Sequence, residues 1–124
     1  INSIKSEINY LDTNTKGYQN YIINHKTNKI RIEDKTTGPL VVTNFDIKTL
    51  NGTREFYHDN GKLESTHPLK NGIPNGEFKG YRENGTLLVK ATFVDVNFSG
   101  IVTEYNEDGS IARTYDAKEF NLAE

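Results

Sequence analysis

Three consecutive stretches decide the fold: NGTREFYHDNGKLESTHPLKNGIP at 51–74, NGEFKGYRENGTLLVKATFVDVNF at 75–98 and SGIVTEYNEDGSIARTYDAKEFNL at 99–122. They align without gaps at a period of 24 residues. A period of about 20–50 residues is the signature of a repeat architecture, in which each unit packs on its neighbours. The identical columns are Gly52/Gly76/Gly100, Tyr57/Tyr81/Tyr105 and Gly61/Gly85/Gly109.

Each unit predicts a β-hairpin, because an Asn-Gly or Asp-Gly pair lies between two short runs rich in β-branched and aromatic residues. Such a pair suits a two-residue type I′ turn, whose central residues both need φ > 0. The frequent glycines also disfavour a long helix. We therefore predict an all-β fold, an elongated antiparallel sheet of tandem 24-residue hairpins, with turns at 60–61, 84–85 and 108–109. The structural turn residues are Gly61, Gly85 and Gly109.

Upstream of residue 51 the repeat is weaker. Residues 30–50 read as a decayed unit, since Gly38 and Leu40 can occupy the columns of Gly61 and Leu63. Residues 1–29 are predicted to be a terminal cap or a further degenerate unit, because terminal repeats are commonly atypical. One continuous domain then consists of segments 1–29, 30–50, 51–74, 75–98 and 99–122.

The predicted turn also sets which residues share a face of the sheet. In the middle unit it places Arg82 opposite Leu87 and Tyr81 opposite Leu88. One face, which we expect to be internal, then carries Phe78, Leu87, Val89, Ala91 and Phe93, together with Val102, Ile111 and Tyr115 of the third unit. The other face carries Tyr81, Leu88, Lys90, Thr92 and Val94. The apolar face must be covered, either by the N-terminal segment or by a partner.

Composition excludes several functions. The length of 124 residues fits one domain, and the absence of Cys removes disulfides and thiolate chemistry. A formal net charge of −2 predicts no nucleic-acid partner, and no apolar run is long enough for a transmembrane helix. Met is absent even at position 1, so we expect the chain to begin downstream of its initiator.

We find no pattern that predicts catalysis or a cofactor. His25, His58 and His67 lack the spacing of a zinc site, and Arg54 would repel a cation near His67. The carboxylates lie mostly in turns, and no phosphate loop or nucleophile elbow is present. No catalytic residue, metal or cofactor is therefore expected.

Tyr57, Tyr81 and Tyr105 form the one regular candidate for binding. Aromatic rings at a fixed pitch on one face can contact a protein, a glycan or a lipid headgroup, and phenols suit an interface. The alternative is that each ring covers the adjacent hairpin and is structural. Both interpretations stay open on the sequence.

The pattern G-x-[aromatic]-x-x-Y-x-x-N-G-x-L resembles the MORN-repeat variant of bacterial proteins. Gly76, Phe78, Tyr81, Asn84-Gly85 and Leu87 carry it, with Asn71-Gly72 and Asn75-Gly76 between units. The resemblance covers 51–122 well and 30–50 weakly, and it implies an array of hairpins. Some members of the family are antitoxins, and the broader family is linked to scaffolding.

Three classes of function remain. The first is a noncatalytic module for protein–protein binding or scaffolding, with a secreted or cell-surface location slightly favoured. The second, which depends on the resemblance alone, is an antitoxin- or immunity-type inhibitor. The third is an accessory domain of a larger enzyme.

Overall fold

The computed structural model describes residues 5–11, 18–36 and 38–121, with side chains for 19–36 and 38–119. Parts of the predicted segment 1–29 and residue 122 lie outside this range. The described residues form an all-β fold with one short helix, as the repeats predict. The strands are β1 Lys5–Leu11, β2 Tyr18–Asn24, β3 Lys29–Asp34, β4 Val41–Asp46, β5 Gly52–Tyr57, β6 Leu63–Lys70, β7 Ile73–Pro74, β8 Gly76–Tyr81, β9 Leu87–Val94, β10 Asn97–Tyr105 and β11 Ile111–Asp116, followed by helix α1 Lys118–Asn121.

All strands belong to one antiparallel sheet in which neighbours in sequence are neighbours in space. The order is β1-β2-β3-β4-β5-β6-β8-β9-β10-β11, and the two-residue strand β7 pairs with the end of β6. The main packing contacts join adjacent strands, apart from contacts between α1 and β10. In the part of the chain that the structure describes, these contacts form no second layer over the sheet.

The N-terminal strands extend this sheet edgewise. Strands β2, β3 and β4 pair in register with one another, and β4 pairs with β5 from Val41–Phe56 to Phe45–Gly52. The expectation that the N-terminal segment could fold over the apolar face is therefore not met by strands β2–β4. These strands lengthen the face instead of covering it.

The hairpin turns differ from the predicted type I′ geometry. In the middle unit the Gly85 N–H donates to the Arg82 carbonyl at 2.9 Å, and the Arg82 N–H donates to the Thr86 carbonyl at 2.9 Å. Gly85 has φ 95°, whereas Asn84 is not among the residues with positive φ. This is a type I turn followed by a left-handed glycine, with three residues in the loop. The same hydrogen bonds recur at 58–62 and 106–110.

Each hairpin then absorbs the extra loop residue in a β-bulge. The register shifts between Phe56 and Tyr57, between Gly80 and Tyr81, and between Glu104 and Tyr105. Beyond the bulge the predicted pairs are correct, as for Phe78 with Ala91. Between turn and bulge they are wrong, because a shift of one residue moves side chains to the other face.

The bulge exchanges two leucines between the faces. Tyr81 pairs with Leu87, so Leu87 shares the face of the tyrosine and not that of Phe78. Leu88 is the extra residue, and it lines hollows together with Phe78 and Val89. The same shift pairs Ile111 with Tyr105. Ile111 therefore lies on the face of the tyrosine and not, as was predicted, on the face of Val102.

The type I′ geometry occurs between the units instead. Asn71 and Gly72 have φ values of 54° and 86°, and Asp95 and Val96 have 49° and 69°. These pairs close the tight turns Lys70–Ile73 and Val94–Asn97. A β-branched residue such as Val96 is a conformational outlier at positive φ.

Candidate functional site

One face of the sheet carries a continuous row of rings, and we call it the aromatic face. Its defining residues are Phe56, His67, Phe78, Phe93 and Phe98, together with Leu88, Val89, Ala91, Val102 and Tyr115. They come from β5, β6, β8, β9, β10 and β11, whose registers bring alternate residues to the same side. A hydrophobic cluster of Ala91, Val102 and Ala117 supports the C-terminal end of this face, packed by Phe78, Val89, Phe98 and Tyr115.

The rings contact one another in a chain across the strands. The centroid of His67 lies 4.8 Å from that of Phe56 and 5.0 Å from that of Phe78. Phe93 stacks on Phe98 at 4.5 Å with an interplanar angle of 16°, and Phe78 meets Phe98 edge-on at 5.5 Å. Offset and edge-on pairs at these separations stabilise by about 0.5–1.5 kcal/mol beyond the area they bury.

His67 is the titratable member of this chain. It opposes Arg54 across the β5–β6 pair, and its Nε2 lies 3.0 Å from the Ser65 hydroxyl oxygen. The Arg54 guanidinium donates from Nε to the Thr43 hydroxyl at 3.0 Å. Burial among the rings, and then the charge of Arg54, lower the pKa of His67 below its ordinary value. Packing among the rings therefore favours the neutral form of His67.

Two adjoining hollows open on the aromatic face. The larger, of about 530 Å³, has walls of Phe56, Phe78 and Leu88 over Ser65 and Gly80, and Tyr81 also lines it. The second, of about 380 Å³, lies between Phe78, Phe98 and Tyr115 over Ala91 and Val102. Small residues thus alternate with large ones. A methyl group at Gly80 would lie 2.8 Å from Cγ1 of Val89, so this glycine is needed where Val89 packs.

The opposite surface, the tyrosine face, carries Tyr57, Tyr81 and Tyr105, each half-buried and paired across its hairpin with Leu63, Leu87 or Ile111. The Tyr57 hydroxyl donates to Glu55 at 2.9 Å, and burial followed by this bond raises the pKa of Tyr57. The face also carries charged groups, including Glu77, which lies 3.6 Å from the ammonium groups of both Lys79 and Lys90. The three tyrosines share a face, as predicted, but their role in binding stays a prediction.

Side chains that the sequence reasoning missed join consecutive units. Nε2 of His58 lies 2.9 Å from the Tyr81 carbonyl oxygen, and the Arg82 guanidinium, one unit later, donates to the Tyr105 carbonyl. Asn60 donates to the Glu83 carbonyl at 2.8 Å, and Asn84 donates to the Glu107 carboxylate at 2.9 Å. The sequence signal for these contacts was that polar residues recur at equivalent positions of consecutive units. These bonds fix the spacing of the tyrosine column.

The histidines do not converge. His25 lies in an exposed turn, His58 contacts a carbonyl and His67 lies among rings. Among the described residues, no group of three or more His, Asp or Glu side chains is arranged to hold a metal ion. In the same part of the chain, no helix has both the length and the apolar character needed to cross a membrane.

The sequence reasoning also missed part of the aromatic face. Phe98 opposes Phe93 only because the tight turn at Asp95-Val96 aligns β10 with β9. Phe56 reaches the same cluster through the β5–β6 and β6–β8 pairings. The positions of Phe98 and Phe56 depend on how one unit pairs with the next. An alignment of the repeats carries no information on that pairing.

The hairpin array defines the class of this chain as a β-repeat protein. The family model described as MORN repeat variant matches residues 50–71 and 74–95, which correspond to the first two complete hairpins. The matched stretches are similar to that repeat and agree with the resemblance seen in the sequence. No curated protein and no solved structure matches the chain.

Proposed function

We propose that the chain is a noncatalytic repeat module for protein–protein binding and that its aromatic face is the docking surface. The observation that carries the proposal is an apolar face on a single-layer sheet, which the described residues cover only at its C-terminal end, where Ala117 and the short helix α1 pack. A sheet with one apolar face is stable when that face packs against another layer. A partner protein supplies the missing layer.

The chemistry of the aromatic face supports this function. Several of its polar groups are already occupied within the chain, since Ser65 contacts His67, Arg54 donates to Thr43 and Arg113 pairs with Glu104. What remains available is ring surface and the two hollows, which suit apolar side chains of a partner. Aromatic residues are enriched at the centres of protein interfaces for the same reason.

A binding comparison between the faces tests the proposal. Leu88 and Val94 lie six residues apart on β9, on opposite faces, with exposures of 40% and 48%. We expect Leu88→Glu to abolish binding to a purified partner, measured by calorimetry, and the matched Val94→Glu to leave the affinity unchanged. Circular dichroism establishes that both variants are folded.

The tyrosine column is the alternative docking surface in this test. If binding survives Leu88→Glu but is lost in Tyr105→Ala, the predicted tyrosine surface is the docking site and the aromatic face is not, because Tyr105, unlike Tyr81, does not line the larger hollow. Binding that is insensitive to all of these variants would exclude both faces.

A further inference from the structure

Asn-Gly pairs recur in the turns and at the strand starts of the repeats. They are Asn51-Gly52, Asn60-Gly61, Asn71-Gly72, Asn75-Gly76 and Asn84-Gly85. In such a pair the backbone nitrogen of the glycine can attack the side-chain amide carbon of the asparagine, because glycine has no Cβ to hinder the approach. A conformation that fixes the amide elsewhere slows this attack. Since all five pairs share one chemistry, the surroundings of each amide decide which pair reacts first.

The hairpin turns hold their asparagine amides with several hydrogen bonds. The Asn84 side chain accepts from the N–H and the hydroxyl of Thr86 at 2.9 Å and 2.7 Å, and it donates to the Glu107 carboxylate at 2.9 Å. The Asn60 side chain both accepts and donates, at 2.9 Å and 2.8 Å. These bonds must open before either amide carbon can meet the nitrogen of the following glycine.

The two asparagines that precede strands are held by one side-chain bond each. Oδ1 of Asn51 accepts from the Asn71 N–H at 3.0 Å, and Oδ1 of Asn75 accepts from the Asp95 N–H at 3.3 Å. The glycine that follows each of them lies in a paired strand, β5 or β8. Attack at these positions therefore also requires the sheet to open locally.

The Asn71 side chain is held by none of these restraints. It is exposed, and among the residues that the structure describes its amide makes no hydrogen bond. The Gly72 N–H donates to the Leu50 carbonyl at 2.8 Å, so one backbone bond has to open. The N–H groups of Gly61 and Gly85 are bonded to carbonyls in the same way. The glycine nitrogen thus does not distinguish the turns, whereas the asparagine side chain does.

We propose that Asn71 is a site of spontaneous deamidation and the first of the five pairs to react in the folded chain. The Gly72 nitrogen forms a bond to Cγ of Asn71, the C–N bond of the side-chain amide breaks, and the proton of the attacking nitrogen leaves with the amide nitrogen as ammonia. Water then opens the succinimide ring at either carbonyl, giving aspartate or isoaspartate at position 71. The product carries one more negative charge than the parent chain.

Peptide mapping of the aged full chain tests the assignment. After incubation at mildly alkaline pH the chain is digested with trypsin, and mass spectrometry detects the gain in mass when an amide becomes an acid; an unaged sample corrects for reaction during digestion. Asn51, Asn60 and Asn84 fall on separate peptides, and fragmentation distinguishes Asn71 from Asn75 on peptide 71–79. We expect Asn71 to react faster than the others by about a factor of 2–12 for each additional bond that their amides make.

Incubation in urea isolates the contribution of the fold. The five pairs are expected to react at similar rates in the unfolded chain, because their side-chain bonds are lost. The inference is wrong if Asn71 is not the first to react in the folded chain, or if urea leaves the order and spread of the rates unchanged.

Glu107→Ala is a matched variant for the physical cause. It removes one partner of the Asn84 amide from an exposed turn and touches nothing around Asn71. We expect the rate at Asn84 to rise by about a factor of 2–12 and the rate at Asn71 to stay the same. An unchanged rate at Asn84 would overturn the inference, because the side-chain bonds would then not set the order of reaction.

Discussion

The aromatic face and the tyrosine face are built from the same strands, yet neighbouring residues on them differ greatly in exposure. Phe93 is 9% exposed and Val94 is 48% exposed, while Val102 is 2% exposed and Ile101 is 59% exposed. The aromatic face buries its ring cluster against neighbouring side chains. The tyrosine face buries Val42 completely beside Tyr57 but leaves Val94, Ile101 and Ile111 exposed among charges. One single-layer sheet thus contains a self-packed aromatic surface and a surface that is solvated at its C-terminal end.

The largest expected effect is a difference in stability between substitutions on the two faces. Phe93→Ala removes a ring that contacts His67, Phe78 and Phe98. We expect a loss of about 3–5 kcal/mol in the free energy of unfolding, as for other buried phenylalanines. The adjacent Val94→Ala should cost less than about 0.5 kcal/mol, as exposed substitutions usually do. Urea denaturation measures both, and equal losses would show that the faces are not energetically distinct.

The second prediction concerns the turn that produces the bulge. Gly61 has φ 87°, and a Cβ there would contact nothing within 4 Å, so the cost of a side chain is conformational. We expect Gly61→Val to destabilise by about 1–2 kcal/mol, whereas Lys62→Val, at the next exposed position, changes little. Similar urea midpoints for these variants would contradict the left-handed turn.

A stabilising substitution is expected at the turn that aligns Phe98 with Phe93. Val96 holds φ 69° while being 53% exposed, so it contributes strain and little packing. Val96→Gly should raise the free energy of unfolding by about 1 kcal/mol, because relief of strain exceeds the added entropy of the unfolded chain. Thermal denaturation measures the change, with Val94→Gly in the strand as the destabilising control.

The smallest effect is a pH dependence specific to the aromatic face. The pKa of His67 is lowered on folding, first by burial and then by Arg54, so the unfolded chain takes up the proton more readily than the folded one. This contribution to stability is present above the ordinary pKa of about 6.5 and is lost as the pH falls through the lowered folded value.

Urea midpoints measured between pH 7.5 and pH 5 report this dependence. The decrease should be shallower in His67→Gln, and His25→Gln, in an exposed turn, serves as the control. A decrease of the same size in the wild type and in His67→Gln would show that other groups cause it.

The sequence predicted the hairpins well and the turns poorly, and the reason lies in individual residues. Asn-Gly is compatible with a two-residue type I′ turn and with a three-residue turn followed by a left-handed glycine. In the structure the Asn84 side chain accepts hydrogen bonds from the N–H and the hydroxyl of Thr86 and donates to Glu107 of the next unit. The 106–110 turn forms in the same way although Asp108 has only local partners, the N–H and the hydroxyl of Ser110. The dipeptide pattern therefore did not choose between the turns, whereas the hydrogen bonds within each hairpin did.

The same limit applies to the candidate site. Phe78, Val89, Ala91 and Phe93 could be assigned to one face because their pairs lie beyond the bulge, where both turn types give the same register. Leu87 and Leu88 lie between turn and bulge, and their faces were exchanged. Phe56, Phe98 and His67 joined the cluster only through pairing between units.

By itself, the sequence determined the 24-residue period, the all-β hairpin array and the glycine columns, because these depend on local conformational preferences repeated in register. Tertiary structure alone decided how the units pair, which brought Phe56, His67 and Phe98 together, and the edgewise extension of the sheet by β2–β4. These features depend on hydrogen bonds and ring contacts between units. The free energies of those contacts select one arrangement of the units among several that local sequence preferences leave nearly equal in free energy.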